Sequence, residues 1–261
     1  MAKIHRFIDN FDLKQKEIKI TDKEIVNQMK NVLRLKAGEF IELCDGINIS
    51  ATALIIKIEK DSISVSIKEI IKDKNKTKNN VTLFCAILKK ENFEMVVQKT
   101  TECGVSKIVP IITSRTIKNG LNIERLQKIA KEASEQCGRI TIPEISEPTK
   151  FEEVINNLEG NTFFFNSSGG YSFITRTYSP AGELLCSARQ PAQCVLKEQS
   201  PDSFNFELST FNLFIGPEGG WTEKEIIKVK ELNFEIASLG SLTLRGETAA
   251  IIATYLVSNL K

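Results

Sequence analysis

The sequence predicts an α/β protein in two parts, a small N-terminal β-barrel followed by an α/β domain built on a parallel sheet. Three observations predict it. Up to about Ile71, apolar and polar residues alternate in short runs, as in Ser62-Ile63-Ser64-Val65-Ser66-Ile67, the period of strands with one wet face. From Val81 onward, continuous apolar runs alternate with amphipathic segments, the rhythm of buried parallel strands covered by helices. Between the two, Lys72–Asn80 holds no apolar residue and reads as a solvated linker. The expected division is therefore a barrel over residues 1–72, a linker over 73–80 and the α/β domain over 81–261.

In the first part, Phe40–Cys44 and Ile47–Ile49 flank Asp45-Gly46, which predicts a hairpin turning on Asp-Gly. Ala53–Ile58 and Ile63–Ile70 continue as strands. One helix interrupts them, with Thr21 as N-cap, Glu24 at the capping-box position, and Ile25, Met29, Val32 and Leu33 on its apolar face. Gly38 follows a few residues after it.

In the second part, Val81–Leu88 is a strand and Phe93–Cys103 a helix ending on Gly104. Lys107–Ile112 is a strand, and Ile123–Gln136 a helix closed by Gly138. Thr162–Phe165 and Phe211–Ile215 are further strands. Thr222 caps a helix to Leu232, with Glu225 completing the box. Glu235–Leu239 is a short strand and Glu247–Leu260 a final apolar helix. Residues 167–203 break the rhythm with Ser-Gly-Gly, Ser-Pro, Ala-Gly and Gln-Pro, and read as an insertion, the alternative being a lid or an RNA-contacting loop.

Composition narrows the chemistry. The 261 residues are 41% hydrophobic and 26% charged with net charge +2, which permits a nucleic-acid partner without arguing for one. The six cysteines form no CxxC and His5 is the only histidine, so no metal site is expected and most histidine-based triads are excluded. The cysteines read as small buried hydrophobes in a reducing compartment. No apolar signal core and no bilayer-length apolar run occur, so no membrane association and a cytoplasmic location are expected.

Two stretches near the C-terminus carry the chemistry that remains. Phe214-Ile215-Gly216-Pro217-Glu218-Gly219-Gly220-Trp221 joins a buried strand to a capped helix, and its glycines open the backbone to a ligand beyond the strand's carboxyl end. It is neither a dinucleotide fingerprint nor a phosphate loop. Leu239-Gly240-Ser241-Leu242-Thr243-Leu244-Arg245-Gly246-Glu247-Thr248 leads into the last helix. Glu247 there suits the helix dipole; Arg245 opposes it and calls for a ligand or a carboxylate partner. Glu135-Gln136-Cys137-Gly138-Arg139 closes its helix with a polar cluster in which Arg139 complements the dipole; Cys137 lacks a histidine to activate it. Gln98, Lys99 and Glu102 read as a solvated helix face.

Taken together these residues resemble the RsmE family, which methylates N3 of a uridine in small-subunit (16S) ribosomal RNA and belongs to the SPOUT class. The resemblance rests on Val32-Leu33-Arg34 with Asp45-Gly46, on Gln98 through Val105, on Glu135 through Arg139, and on the two C-terminal stretches. It implies a PUA-like barrel for RNA binding and a methyltransferase domain with a deep trefoil knot, which no pattern above predicts. It also implies S-adenosyl-L-methionine as methyl donor, bound by Leu213, Ile215, Gly216, Glu218, Gly220, Leu239, Gly240, Leu242, Leu244 and Thr248. Arg245 would stabilise charge on the uracil oxygens, and Glu247 would accept the N3 proton directly or through water. Arg34, Lys99 and Arg139 would contact RNA. The implied partners are 16S ribosomal RNA in the small ribosomal subunit and a second copy of the chain, in an obligate homodimer with each active site at the subunit interface. Two departures stand out: Asn27-Gln28 replace the family's His-His pair, and residues 167–203 have no counterpart. The rival readings are a methyltransferase of the same class acting on another RNA, and a non-catalytic RNA-binding or ribosome-assembly factor on the same fold.

Overall fold

The computed structural model describes residues 4–72, 79–117, 120–156, 158–167, 169–173 and 210–260. The chain folds as two compact units. The first comprises Met1–Lys76 and Gln127–Pro143, the second Thr77–Leu126 and Glu144–Lys261.

The first unit is a five-stranded sheet of order β1-β3-β4-β5-β2, formed by β1 (His5–Ile8), β2 (Glu17–Ile20), β3 (Phe40–Cys44), β4 (Ile49–Ile58) and β5 (Ile63–Lys72). β1 runs parallel to β3, and the other pairs are antiparallel. Inward residues alternate along the strands and bury Phe7, Ile20, Ile41, Leu43, Ile55, Ile63 and Val65. Helix α1 (Lys23–Asn27) adds Ile25, and the following π-turn (Gln28–Val32) adds Met29. The C-terminal part of α3 (Ile123–Cys137) also belongs here: Glu135 Oε1 accepts from the Ile8 amide at 3.1 Å, and Ile140 packs on Ile8 and Cys44. Burial pushes the Glu135 carboxyl above its usual pKa and the Cys44 thiol to about 12.

Three sequence expectations are corrected in this unit. Asp22, not Thr21, caps α1: its carboxylate accepts from the Ile25 amide at 2.9 Å. Aspartate is at least as good an N-cap as threonine, and the one-residue shift removes Glu24 from the capping-box position. The π-turn then widens the helix, so Val32 turns outward and is 67% exposed rather than part of the apolar face. The expected hairpin forms between β3 and β4 with Asp45-Gly46 in its turn, but Ile47 and Asn48, expected in the second strand, belong to the loop. Asp45 Oδ1 gathers the amides of Ile47, Asn48 and Ile49 at 2.8, 2.9 and 3.0 Å, which spreads the loop over more residues. Partial burial raises the Asp45 pKa, but these amides outweigh it and hold the carboxyl below the usual value.

The second unit is an all-parallel sheet of order β11-β13-β10-β12-β6-β7-β8. Its strands are β6 (Asn80–Ala86), β7 (Lys107–Ile112), β8 (Glu144–Ile145), β10 (Asn161–Phe165), β11 (Tyr171–Ser172), β12 (Thr210–Ile215) and β13 (Glu235–Ser238), and β9 (Thr149–Lys150) pairs with β7 off this path. The helices are α2 (Lys90–Glu102), the start of α3, α4 (Phe151–Val154), α5 (Glu223–Glu231) and α6 (Gly246–Ser258). Phe84, Phe151, Phe164, Phe214, Trp221 and Val229 form an aromatic-rich core. Thr222 and Glu225 make the predicted capping box at the start of α5.

Two more expectations shift here. The solvated linker was expected to run through Asn80, but Asn79 is 8% exposed, and its amide donates to the carbonyls of Val257 at 2.8 Å and Leu260 at 3.1 Å. A polar residue can thus close the C-terminal end of a helix rather than face water. Asn80 already opens β6, and residues 73–78 lie outside the described residues. The start of the expected 167–203 insertion also belongs to the sheet: Tyr171–Ser172 pairs with β13, and Phe173 is buried against Phe163 and Phe165 at ring separations of 5.0 and 5.4 Å. Residues 174–203 lie outside the described residues.

Candidate active site

The carboxyl ends of β10, β12 and β13 meet at one end of the second unit's sheet. The loops that leave them, Phe165–Ser167, Ile215–Trp221 and Ser238–Gly246, enclose a cavity of about 400 Å³. Open parallel sheets form their ligand crevices at this end, and the volume lies in the range of small-molecule sites.

The walls follow from local sequence. Trp221 is buried against Phe151 and Phe164, and its indole nitrogen donates to the Phe165 carbonyl at 2.9 Å. A Cβ on Gly216 would lie 2.9 Å from that indole, so Gly216 is glycine because tryptophan fills its side-chain space. Gly216 thus has a steric reason to be glycine besides its place on the cavity wall. Gly220 (φ +68°) does use the left-handed region, as does Gly240 (φ +140°). Gly246 is also tightly placed: a Cβ there would lie 3.0 Å from Leu88 Cδ2, which would have to shift.

Glu225 braces this wall from behind. It is buried, and both its oxygens are engaged: Oε1 accepts from the Ser114 amide at 3.0 Å, and Oε2 accepts from the Thr222 amide at 2.7 Å and the Thr222 hydroxyl at 2.8 Å. Glu225→Gln retains the volume but replaces one acceptor oxygen with a donor facing a donor. The expected loss is about 1–3 kcal/mol of stability, read as a lower urea midpoint. An unchanged midpoint would contradict the brace.

Of the residues expected to hold a cofactor, Ile215, Gly216, Glu218, Gly220, Leu239, Gly240, Leu242 and Leu244 line the cavity. Leu213 is buried within β12 and Thr248 lies inside the first turn of α6; neither reaches the wall. Arg245 lines it. It stands at the N-cap of α6 in extended backbone (φ −65°, ψ 153°), makes no capping bond and is exposed. No ion pair involves it among the described residues, so of the two explanations for a cation at this helix start, the carboxylate partner is not present there.

Glu247 goes elsewhere. It is 7% exposed, and its Oε2 is buried with no hydrogen-bond partner among the described residues. Arg245 stands in extended backbone before α6 and Glu247 within its first turn, so the two side chains part despite their spacing. Glu247 faces the interior near Cys85, whose thiol pKa is raised by burial and further by this carboxylate. Glu247 is not among the residues that line the cavity.

The basic residues expected at RNA are placed as follows. Arg34 is exposed with φ +54° and ends the π-turn, where the Leu35 amide returns to the Met29 carbonyl at 2.9 Å. A non-glycine residue in this region carries local strain of about 1–3 kcal/mol, and such strain clusters at functional positions. Arg139 is half-buried, with Nη2 3.4 Å from the Thr141 hydroxyl. Lys99 pairs with Glu102 at 2.9 Å. Among the described residues, no group of three His, Cys, Asp or Glu side chains gathers in a metal-binding arrangement.

Sequence reasoning missed Phe165-Asn166-Ser167 and Ser238 on the cavity wall. The crevice rule, applied to the predicted strand ending at Phe165 as it was to Phe211–Ile215, would have found the first three.

A sequence profile described as "RNA methyltransferase domain" matches residues 75–258, and one described as "RNA methyltransferase PUA domain" matches residues 20–68. Ribosomal RNA small subunit methyltransferase E of Rickettsia conorii is 30% identical over 238 residues, covering 91% of this chain and 87% of the relative. Its counterpart in Synechocystis is 29% identical, covering 90% of this chain and 71% of the relative. The crystal structure of ribosomal RNA small subunit methyltransferase E from Neisseria gonorrhoeae, bound to S-adenosyl methionine, superimposes with a TM-score of 0.77 at 25% identity, covering 97% of this chain and 95% of that one.

Proposed function

We infer the activity from one premise: the chain belongs to the ribosomal RNA small subunit methyltransferase E family. It is an S-adenosylmethionine-dependent methyltransferase of small-subunit ribosomal RNA, with a PUA-like N-terminal domain and a SPOUT-class α/β methyltransferase domain. Our finer reading takes N3 of a uridine in 16S ribosomal RNA as acceptor, in the cytoplasm and without a metal. It assigns RNA recognition to residues 1–72 and methyl transfer to 81–261, a division that the two profile matches support.

The observation that carries this reading is the cavity, with the Arg245 guanidinium on its wall and no ion pair to that arginine among the described residues. The residues present fit the cofactor: glycine backbone at 216–220 and 240 suits a ribose and an amino acid part, and Leu239, Leu242 and Leu244 offer apolar contact to a purine. When bound, the cofactor supplies an electrophilic methyl group on a positive sulfur. The protein's task is alignment and charge stabilisation. Arg245 would hold the negative charge that develops on O2 or O4 as N3 loses its proton. Glu247 would take that proton only through an intervening water, the second of the two expected routes, since its carboxylate lies off the wall.

The knot and the homodimer belong to the same proposal. α6 follows β13 in the chain and packs on β6, β12 and α2 near the middle of the sheet. Its outer side leaves Ile251, Ile252 and Leu256 half-exposed and Tyr255 exposed, and α2 leaves Met95 exposed, an apolar surface suited to a second copy.

Labelled S-adenosylmethionine and small subunits from a strain lacking the enzyme test the reading. Label should appear on N3 of a single uridine; label on another base moves the substrate, and no label removes the activity. Arg34, Lys99 and Arg139 would contact phosphates, so RNA affinity should fall steeply with salt, and Arg34→Ala should lower that slope by about one. A flat salt dependence would remove these residues from the binding surface.

A further inference from the structure

The turn that follows β7 carries a residue the sequence reading did not single out. Thr113 and Thr116 close this turn, with the Thr113 amide donating to the Thr116 hydroxyl at 2.9 Å and the Thr116 amide to the Thr113 carbonyl at 3.1 Å. At its tip, Arg115 Nη1 donates to the Gly219 carbonyl at 2.6 Å and lies 3.3 Å from the Trp221 carbonyl. Its aliphatic stem runs along Gly219, where a Cβ would meet Arg115 Cδ at 3.4 Å.

These contacts fix two peptide planes from both sides. In a trans peptide the carbonyl and the amide point in opposite directions. The Gly219–Gly220 peptide has its carbonyl on Arg115 and its amide on the Pro217 carbonyl at 2.8 Å. The Trp221–Thr222 peptide has its carbonyl on Arg115 and its amide on Glu225 at 2.7 Å. Glu225 also holds the Ser114 amide of the same turn, so the turn and the loop are tied at both ends. Trp221, set by these planes, fills the space beside Gly216 and reaches the end of β10.

A loop with adjacent glycines is otherwise among the most mobile backbone, and ordering it on ligand binding lowers affinity. A guanidinium suits the pinning because its donors lie in a rigid plane and its charge persists at every working pH. We propose that Arg115 is a positioning residue for cofactor binding, holding the Pro217–Trp221 wall in its receiving shape before the cofactor arrives. The proposal rests on the cofactor reading above and adds to it the residue that pre-forms the site.

Arg115→Met keeps the stem against Gly219 and removes the donors; Arg115→Lys keeps a cation that can reach one carbonyl. S-adenosylmethionine affinity is measured by calorimetry, KM and kcat at saturating RNA, and thermal midpoints by unfolding. Arg115→Met should raise Kd and the cofactor KM by about tenfold, the size expected for lost bonds to a charged donor. Its kcat should change by less than about threefold, its thermal midpoint should stay close to that of the parent, and Arg115→Lys should recover part of the affinity. Amide exchange at Gly220 and Thr222 in the ligand-free protein should quicken in Arg115→Met. Unchanged affinity and exchange, or a loss that only follows a lowered midpoint, would overturn the positioning role. Absence of binding by the parent protein would instead sink the cofactor reading, and this proposal with it.

Discussion

Arg245→Ala is expected to lower methyl transfer by at least about a hundredfold while changing cofactor affinity by less than about threefold. The asymmetry follows from where the side chain stands. Arg245 precedes α6, lines the cavity and makes no capping bond to its own helix. A cation at a helix N-terminus opposes the macrodipole, so its removal should leave stability unchanged or slightly higher. What would be lost is a fixed positive charge opposite the oxygen that gains charge as the acceptor nitrogen is deprotonated, an interaction made in the transition state and hardly at all before it. Single-turnover transfer from labelled S-adenosylmethionine, read beside a binding isotherm, separates the two quantities. Turnover within threefold of the parent would reject the assignment.

Phe214→Ala should have the largest effect on stability, about 3–5 kcal/mol. Phe214 is fully buried on β12, the strand between β10 and β6. Its ring stacks on Phe84 at 4.5 Å with an interplanar angle of 3°, meets Phe151 edge-on at 6.1 Å and approaches Phe234 at 5.6 Å. Truncation leaves a cavity whose neighbours are rings held by other elements, so the site has little freedom to collapse. The next residue, Ile215, lines the ligand cavity, so cofactor binding should weaken as well. Urea unfolding followed through Trp221, the only tryptophan in the chain, measures the change, and a loss below about 1.5 kcal/mol would contradict this account of the core.

Much of the second unit was legible because its signals are local. Lys107–Ile112 is a strand with the bounds its apolar run predicts, and Thr222 with Glu225 form the box that their spacing predicts. Both Gly104 (φ +99°) and Gly138 (φ +88°) adopt the left-handed backbone expected at helix ends. What escaped depends on contacts between distant segments. β11 is two residues long inside a Gly- and Ser-rich stretch, and only pairing with β13 makes it a strand. Residues 127–143 pack with the first unit although the chain reaches them after several elements of the second. The π-turn after α1 changes the helical period within a single turn, which no fixed-period pattern can register.

The site was legible as two loops but not as a geometry. The glycines marked the right segments, yet the reason for Gly216 is a tryptophan that packs beside it. Arg245 and Glu247, neighbours in sequence, part company because a helix starts between them. Arg115 carries no motif, and its importance appears only once its turn is seen against Gly219 and Trp221.

Titrating S-adenosylmethionine into the purified protein while following Trp221 emission tests the central claim most directly. The account predicts saturable binding at one site per chain, with an emission change because the indole forms part of the wall. A protein that stays folded, yet gives neither heat nor an emission change up to millimolar cofactor, would contradict it.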